Sequence, residues 1–203
     1  QDLITHQLTP QREGQYDASA INIEVVNMLN TRYVIQPTSQ GQPQAILNPN
    51  AYGAAWFAQK VEIVPDANSE MQALRKVDLR TTAVVDERFA SDVLRSLPAQ
   101  QTDSTASISI ISYTPKEIVY KTQNKGTALA VCSEGWHATI DDKETEILRA
   151  DYVLRAVIVP SGEHTLRFTF SPRSISTLEA IAWSASILLL LMALLSIVLP
   201  IVR

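Results

Sequence analysis

The feature that most constrains this chain is an uncharged apolar segment near its end, from Ala180 to Val202. Of its 23 residues, 19 are hydrophobic and none is Asp, Glu, Lys, Arg or His. A helix of that length spans about 34 Å, slightly more than the roughly 30 Å hydrocarbon core of a bilayer. The alternative, a buried helix of a water-soluble core, fits less well because such helices seldom run this far without a charge. The sequence therefore predicts a transmembrane helix over 180–202, with Trp183 as an anchor at the membrane interface.

The two ends of the chain bear on its topology. It begins at Gln1, without an initiator Met or an apolar signal stretch, so we expect it to be a C-terminal piece of a longer membrane protein. Arg167 and Arg173 precede the apolar segment and Arg203 follows it. This near balance of positive charge does not fix which end of the helix is cytoplasmic.

The residues before the apolar segment have the composition of a folded domain. About 41% of the remaining 180 residues are hydrophobic, which excludes a fully disordered chain and a fully membrane-embedded one. The net charge is −4 and no basic cluster is present, so the sequence predicts no nucleic-acid binding. The single cysteine, Cys132, lies in an apolar run, where we expect a buried thiol rather than a reactive one.

Residues 1–98 combine helix and strand signals, and we predict a mixed α/β part there. The polar stretches Thr38–Gln44 and Asn48–Gly53 are predicted loops, and 99–106 is a predicted linker or exposed loop. Asp66 or Ser69 is the expected cap of the second helix. The predicted elements are a helix over Ile21–Leu29, strands over Tyr33–Ile35, Ala55–Val64 and Thr82–Val85, and helices ending at Lys76 and spanning Asp86–Leu97.

From residue 107 the apolar pattern changes to a period of two, which is typical of strands. Leu166, Phe168 and Phe170 alternate with polar residues, so we expect these three on a buried face and Arg167 on a wet one. The pattern over 107–172 predicts an antiparallel β-sandwich, and the whole chain is predicted as α+β, mainly β. The seven predicted strands are Ser107–Tyr113, Glu117–Thr122, Thr127–Cys132, His137–Ile140, Glu144–Leu148, Leu154–Val159 and Thr165–Phe170.

The familiar catalytic and metal-binding patterns are missing. The histidines His6, His137 and His164 lack the spacing of zinc ligands, so no metal and no cofactor are predicted. The pair Asp86–Glu87 fits the start of a helix, and Asp141–Asp142 fits a hairpin turn. There is no nucleophile elbow and no phosphate-binding glycine loop, so the sequence predicts no catalytic residue.

Three side chains remain as candidates for contact with a carbohydrate, namely Trp136, Tyr152 and Arg155. Aromatic rings stack on sugars, and a guanidinium binds hydroxyl or phosphate oxygens. Packing in the core or at a sheet edge is the competing interpretation for all three.

Several strings in the chain resemble the C-terminal region of the bacterial YfhO family. These are membrane proteins with many spans, similar to GT-C glycosyltransferases. The resemblance covers about Leu29 to Pro172 and the closing span. It is carried by LNTRYVI from Leu29, NPNAYGAAWFA from Asn48, TTAVVDERFA from Thr81 and GWHATIDDKETEILRADYVLRAVIVPSGEHTLRFTFSP from Gly135.

The chain departs from the family pattern at two positions. Asp142 stands where the family usually has Gly in a turn, and Glu134 stands where it usually has Pro. Since Asp tolerates positive φ only at some cost, a longer turn is one expectation here. The family's presumed catalytic acids lie in loops between earlier membrane spans, so the resemblance implies no catalytic residue in this chain.

The resemblance implies a β-rich domain, residues 1–178, on the outer face of the bacterial cytoplasmic membrane. Its parent would be a transferase that uses lipid-linked sugar for envelope polymers, and this piece would be a non-catalytic domain with the last transmembrane helix. The expected partners are the bilayer, the upstream helices, and a lipid-linked sugar or envelope polymer. The alternative is a membrane-anchored module that binds carbohydrate or protein and has no transferase role.

Overall fold

A computed structural model describes residues 2–9, 11–12, 15–16, 20–37, 41–97, 103, 105–132, 137–170 and 181–192. These residues are mainly β, in several antiparallel sheets with short helices, which confirms the predicted α+β class dominated by strands. The chain divides into two compact units, Gln1–Thr169 and Phe170–Arg203.

The helices of the first unit are short, and all except the π-helix begin at polar caps. The carboxylate of Asp66 accepts from the Ser69 amide at 2.8 Å, which confirms Asp66 as the cap of the second helix. Asn22 and Ser91 cap the helices that follow them in the same way. The bounds are a π-helix Ile4–Leu8, α1 Ile23–Met28, α2 Ala67–Ala73, a 3₁₀ helix Glu87–Phe89 and α3 Asp92–Arg95.

Most strands pair with an antiparallel neighbour. The exceptions are β6 and β7, which form a two-stranded parallel pair. The strands are β1 Gln11–Arg12, β2 Gln15–Tyr16, β3 Tyr33–Pro37, β4 Pro43–Leu47, β5 Ala55–Ala58, β6 Lys60–Val64, β7 Thr82–Asp86, β8 Ser107–Thr114, β9 Glu117–Asn124, β10 Ala128–Cys132, β11 His137–Ile140, β12 Lys143–Thr145, β13 Leu148–Ala150, β14 Leu154–Val159 and β15 Gly162–Thr169.

Two antiparallel sheets face each other across one hydrophobic core. One has the strand order β13-β14-β10-β5, and the other has the order β12-β11-β15-β9-β8. Ala130 and Val157 from the first sheet share this core with Leu166 and Phe168 from the second. The two rings of Tyr120 and Phe168 meet edge to face, with centroids 6.1 Å apart.

The four-stranded sheet is buried on its other face as well. Leu129 and Val131 of β10 point away from the five-stranded sheet into a second core, which also holds Val25, Trp56 and Leu74 from the first third of the chain. The second core therefore packs the helices and the β6–β7 pair against the back of this sheet. This double burial explains why every residue of β10 is buried.

Several predicted boundaries in the first third are wrong. The predicted strand Ala55–Val64 is two strands in different sheets, because the amides of Gln59 and Lys60 bond to the Thr81 carbonyl and turn the chain between them. The predicted loop Thr38–Gln44 contains the start of β4, which returns antiparallel to β3 as a hairpin.

The predicted helix Asp86–Leu97 is also wrong in its extent. Asp86 is the buried last residue of β7, and its carboxylate caps the 3₁₀ helix by accepting from the Arg88 amide. The α-helical part begins after the second cap at Ser91 and has only four residues. The acidic pair Asp86–Glu87 thus starts a helix, as predicted, but a 3₁₀ one.

Two corrections concern the later strands. The predicted strand Glu144–Leu148 is two short strands, one in each sheet, because the chain crosses between the sheets there. Leu166 and Phe168 are buried as predicted, but Phe170 is 41% exposed. β15 ends at Thr169, so Phe170 lies beyond the last pairing with β11.

In the second unit, residues 181–192 are helical and every one of them is exposed. No helix within the described residues is long and apolar enough to span a bilayer. The rest of the predicted transmembrane segment, Ala180 and 193–202, lies outside the described residues.

Candidate functional site

The longest of the strings that carry the resemblance begins at Gly135. It contains a tight turn between β11 and β12. Ile140 pairs with Lys143, which leaves a two-residue turn of Asp141 and Asp142. Both have positive φ, 49° and 64°, the conformation of a type I′ hairpin turn. The predicted hairpin turn is confirmed, and the longer turn expected from the absence of Gly is wrong.

A second turn of the same string contacts the first. The Asp141 carboxylate lies 2.6 Å from Nδ1 of His164 and also accepts from the Thr165 amide at 2.9 Å. These contacts raise the pKa of His164 and lower the pKa of Asp141. Gly162 begins β15 with φ of 125°, a conformation that a side chain would strain. The string thus contains two turns of the five-stranded sheet that contact each other. Asp141 and His164 stabilise this contact.

The three candidate carbohydrate contacts occupy different places. Trp136 lies outside the described residues. Arg155 stands in the four-stranded sheet between Arg149 and Cys132, and no hydrogen bond joins its side chain to another described residue. Tyr152 lies in the turn between β13 and β14 and lines a groove that does not include Arg155.

The groove beside Tyr152 has a volume of about 380 Å³, at the lower end of the range for small-molecule sites. The Tyr152 hydroxyl donates to Asp2 at 3.1 Å, and burial together with this carboxylate raises the pKa of Tyr152. The polar side chains of its walls suit the hydroxyls of a sugar, and the tyrosine ring offers an apolar face. The lining residues are Asp2, His6, Gln7, Ala67, Asn68, Met71, Gln72, Arg75 and Tyr152.

Part of the polar lining is already engaged within the chain. Gln7 donates to the Met71 carbonyl, and Arg75 donates to the carbonyls of His6 and Ala20. By contrast, the side chains of His6, Asn68 and Gln72 make no hydrogen bond to another described residue. These three are the groups that the groove offers to a ligand.

The backbone that carries Tyr152 is strained. Asp151 and Tyr152 both have positive φ, 49° and 70°. Such residues cost about 1 to 3 kcal/mol each and persist only where the surroundings hold them. Here the Tyr152 amide donates to Glu70 at 2.9 Å, and the Asp151 carboxylate accepts from the Val84 amide at 2.8 Å. These bonds aim the tyrosine ring at the groove.

Behind the groove lies a carboxylate cluster, defined as Glu70, Asp86 and Asp151 with Arg149. All three acids are fully buried. The Arg149 guanidinium lies 2.5 Å from Glu70 and 3.6 Å from Asp86, and it stacks 4.2 Å from the ring centroid of Phe89. Arg149 of β13 therefore joins Glu70 of α2 to Asp86 of β7.

The three carboxyl groups have different electrostatics. Burial raises the pKa of Glu70, although Tyr152 and Arg149 oppose the shift. Burial and the nearby Glu70 carboxylate raise the pKa of Asp151 to about 7, and its second oxygen has no partner among the described residues. Hydrogen bonds from Arg88 hold the pKa of Asp86 below its usual range. Asp151 thus titrates near neutral pH.

The cluster positions Tyr152 and does not present an acid to a substrate. A general acid must reach the reacting atom within hydrogen-bond distance, and these fully buried carboxylates do not face solvent. Within the described residues, no group of three His, Cys, Asp or Glu side chains could hold a metal ion.

Sequence reasoning singled out Tyr152 and missed the groups that hold it. A signal for Glu70 was present, because it stands on the same helical face as Ala67, Met71 and Leu74, where a charge requires a buried partner. The partner is Arg149, 79 residues away along the chain. Periodicity alone does not find such a pair.

Comparison of the chain with protein-family models, curated proteins and solved structures gives no match in any of the three.

Proposed function

We propose that this chain is the membrane-anchored, non-catalytic accessory domain of a YfhO-like, GT-C-type glycosyltransferase that uses lipid-linked sugar for envelope polymers. Residues 1–178 then lie on the extracytoplasmic side of a bacterial cytoplasmic membrane, and 180–202 form a transmembrane helix. The observation that carries the proposal is the exposed apolar helix of residues 181–192, which opens a run of 23 residues without a charge.

The exposure of this helix supports an apolar surrounding. Trp183 is 71% exposed, and Leu188 and Leu190 are 60% and 65% exposed. Each buried Leu gains about 1.5 to 3 kcal/mol over an exposed one, so water is a poor surrounding for a surface of this kind. A bilayer supplies the missing cover, and the sequence runs on for the length that a bilayer requires.

The non-catalytic role rests on the chemistry of the folded unit. Its acid-rich centre, the carboxylate cluster, is buried and tied to Arg149. The Asp141–His164 pair holds two turns together. The resemblance to the YfhO family is the reason for proposing a glycosyltransferase as the parent protein. It also implies that the catalytic acids belong to loops between earlier membrane spans.

The anchor is tested with the full chain produced in bacterial cells. Membranes are washed with alkaline carbonate, and a reporter fused after Arg203 reports the side of the membrane. We expect the chain to stay in the washed membranes and a cytoplasm-active reporter to be active. Release of the chain by carbonate, or activity of a periplasm-active reporter at the same position, would contradict the proposal.

A matched pair of variants separates anchoring from folding. Leu188→Arg places a charge in the apolar segment, and Lys121→Leu changes an exposed residue of β9. The first should weaken retention in washed membranes, and the second should leave it unchanged. Incubated with a polyprenyl-phosphate hexose, the chain should neither hydrolyse nor transfer the sugar. Turnover that depends on a residue of this chain would overturn the non-catalytic role.

The groove favours a second function within the same anchored domain, the binding of a carbohydrate. Tyr152 is held at the groove by strained backbone, and such strain collects at functional sites. Binding of a polyprenyl-phosphate hexose in detergent should weaken in Tyr152→Ala and in Gln72→Ala. Binding should persist in Tyr113→Ala, which removes an exposed tyrosine of β8 that does not line the groove. Equal affinity of all three variants for the polyprenyl-phosphate hexose would exclude the groove as its binding site.

A further inference from the structure

The β3–β4 hairpin presents an apolar face to solvent. Tyr33, Ile35, Ala45 and Leu47 lie on one side, because Tyr33 pairs with Leu47 and Ile35 with Ala45. All four are exposed, and Ile35 is 72% exposed. Among the described strands the two pair only with each other. A two-stranded hairpin is only marginally stable in water unless another surface covers it. We therefore expect a partner surface to cover this face.

The charges around the hairpin indicate what kind of partner fits. From Val25 to Val61 the chain has no Asp or Glu, although it has 21 acidic residues in all. Arg32, next to Tyr33, is exposed. An apolar face with a tyrosine, a flanking arginine and no acid suits the interface of a bilayer that carries anionic lipid.

The chain also leaves the first unit near the place where the hairpin is attached. Ala55, at the start of β5, pairs with Cys132 at the end of β10. Thr169, at the end of β15, pairs with His137 at the start of β11. Since Cys132 and His137 are only five residues apart in sequence, Ala55 and Thr169 lie at the same end of the paired sheets. The hairpin returns to that end through 48–54.

The length of the connection limits how far this end can lie from the proposed anchor. Eleven residues, 170–180, lie between the end of β15 and the first described residue of the helix over 181–192. Fully extended, this connection spans roughly 40 Å, so the first unit stays within reach of the membrane surface.

We propose that the β3–β4 hairpin is a second membrane contact, which inserts Tyr33, Ile35 and Leu47 into the interface of the bilayer that holds the anchor. The inference rests on the proposed function, because it requires the chain to be anchored. It goes further by assigning the hairpin to a lipid surface instead of a protein partner.

The test uses the full chain in vesicles of phosphatidylcholine and phosphatidylglycerol, in a Cys132→Ala background. A polarity-sensitive fluorophore is attached to single cysteines made by Ile35→Cys and Leu47→Cys, two independent positions on the apolar face. Val34→Cys lies on the same strand but on the opposite face and is the matched control. Leu190→Cys reports the anchor itself. Each label is exposed first to nitroxide-bearing lipid and then to a water-soluble quencher.

The expected result is a loss of emission with nitroxide lipid at positions 35, 47 and 190, and a loss with the aqueous quencher at position 34. If position 190 responds to lipid while 35 and 47 respond only to the aqueous quencher, the hairpin inference is wrong and the anchor stands. If 35 and 47 are shielded from both quenchers, a protein surface covers the hairpin, and the inference is again wrong. A label at 190 that ignores the lipid quencher would contradict the proposed function itself.

Discussion

Two apolar segments of this chain meet opposite surroundings. Every residue of β10, Ala128–Cys132, is buried, while every residue of the helix over 181–192 is exposed. Their compositions are similar, since both consist almost entirely of apolar residues. β10 is covered on both faces because it lies between two cores, whereas the helix has no such cover among the described residues. The contrast teaches that an apolar segment requires cover but does not by itself specify what covers it, and we propose that lipid covers the helix over 181–192.

The sharpest way to break this comparison is to place the same charge in both segments. Val131→Asp puts an unpaired carboxylate into the core, at a cost of several kcal/mol against a typical total stability of about 5 to 15 kcal/mol. We expect this variant not to fold. Leu190→Asp should leave the urea midpoint of the first unit unchanged and reduce vesicle association, since Asp at the centre of a membrane helix costs about 3 kcal/mol.

Circular dichroism in urea measures the first effect and vesicle flotation measures the second. Should Leu190→Asp also unfold the first unit or lower its urea midpoint, the helix belongs to a protein core, and the comparison fails.

A second substitution pair sharpens the account of the core between the two sheets. Phe168→Ala removes a side chain that is 2% exposed and packs against Tyr120, so we expect a loss of about 3 to 5 kcal/mol in the free energy of unfolding. Arg167→Ala, on the neighbouring position, breaks the half-exposed pair with Glu117 and should cost only about 0.2 to 1 kcal/mol. Urea melts of both variants provide the measurement. Similar losses would refute the assigned faces of β15.

Asp151 predicts a pH dependence with a definite sign. Burial raises its pKa in the folded state to about 7, above the value of about 4 in an unfolded chain. Between these pH values the folded state holds a proton that the unfolded state has lost. Stability therefore falls as pH rises from about 4 to 7, by up to about 1.4 kcal/mol per pH unit.

The variant that tests this effect is Asp151→Asn, which keeps an oxygen for the Val84 amide and tolerates the positive φ. The urea midpoint of the variant should depend less on pH than that of the parent chain, and the gain should be largest above pH 7. Asp103→Asn is the control of opposite sign, because hydrogen bonds from Thr105 and Lys125 lower the pKa of Asp103. Parallel pH profiles for the parent chain and Asp151→Asn would contradict the raised pKa.

The smallest expected effect belongs to the exposed pair Asp141–His164. Its hydrogen bond to Asp141 raises the pKa of His164, so the stability it contributes is fully present below about pH 6.5 and is lost as pH rises through the folded pKa. In Asp141→Asn the NMR titration midpoint of His164 should fall toward the ordinary value. An unchanged midpoint would show that Asp141 does not control this histidine.

Local signals in the sequence were enough to locate most strands after residue 107 and the cap at Asp66. They were enough because alternation and capping are properties of neighbouring residues. The β11–β12 turn was also predictable as a turn. Its two-residue length was not, because the turn is held by contacts from Thr165 and His164 to the Asp141 carboxylate, and these residues are distant in sequence.

The rest of the fold depends on pairings that local patterns do not encode. β5 joins the sheet of β10 although 73 residues separate their first residues, Ala55 and Ala128, so the first third of the chain and the later strands share one core. For the candidate site, the aromatic residue Tyr152 was found by residue type. Glu70 and Arg149, which position it, meet only in the folded chain.

The central claim that we propose is that lipid surrounds the helix over residues 181–192. Spin labels placed singly at consecutive positions from 183 to 191, in the full chain in vesicles, report collisions with oxygen in lipid and with a nickel chelate in water. The account predicts that the spin label collides more often with oxygen than with the chelate at every position around the helix. Chelate access at positions on all sides, or protection from both reagents that recurs every three to four residues, would contradict it, because water or a protein core would then surround the helix.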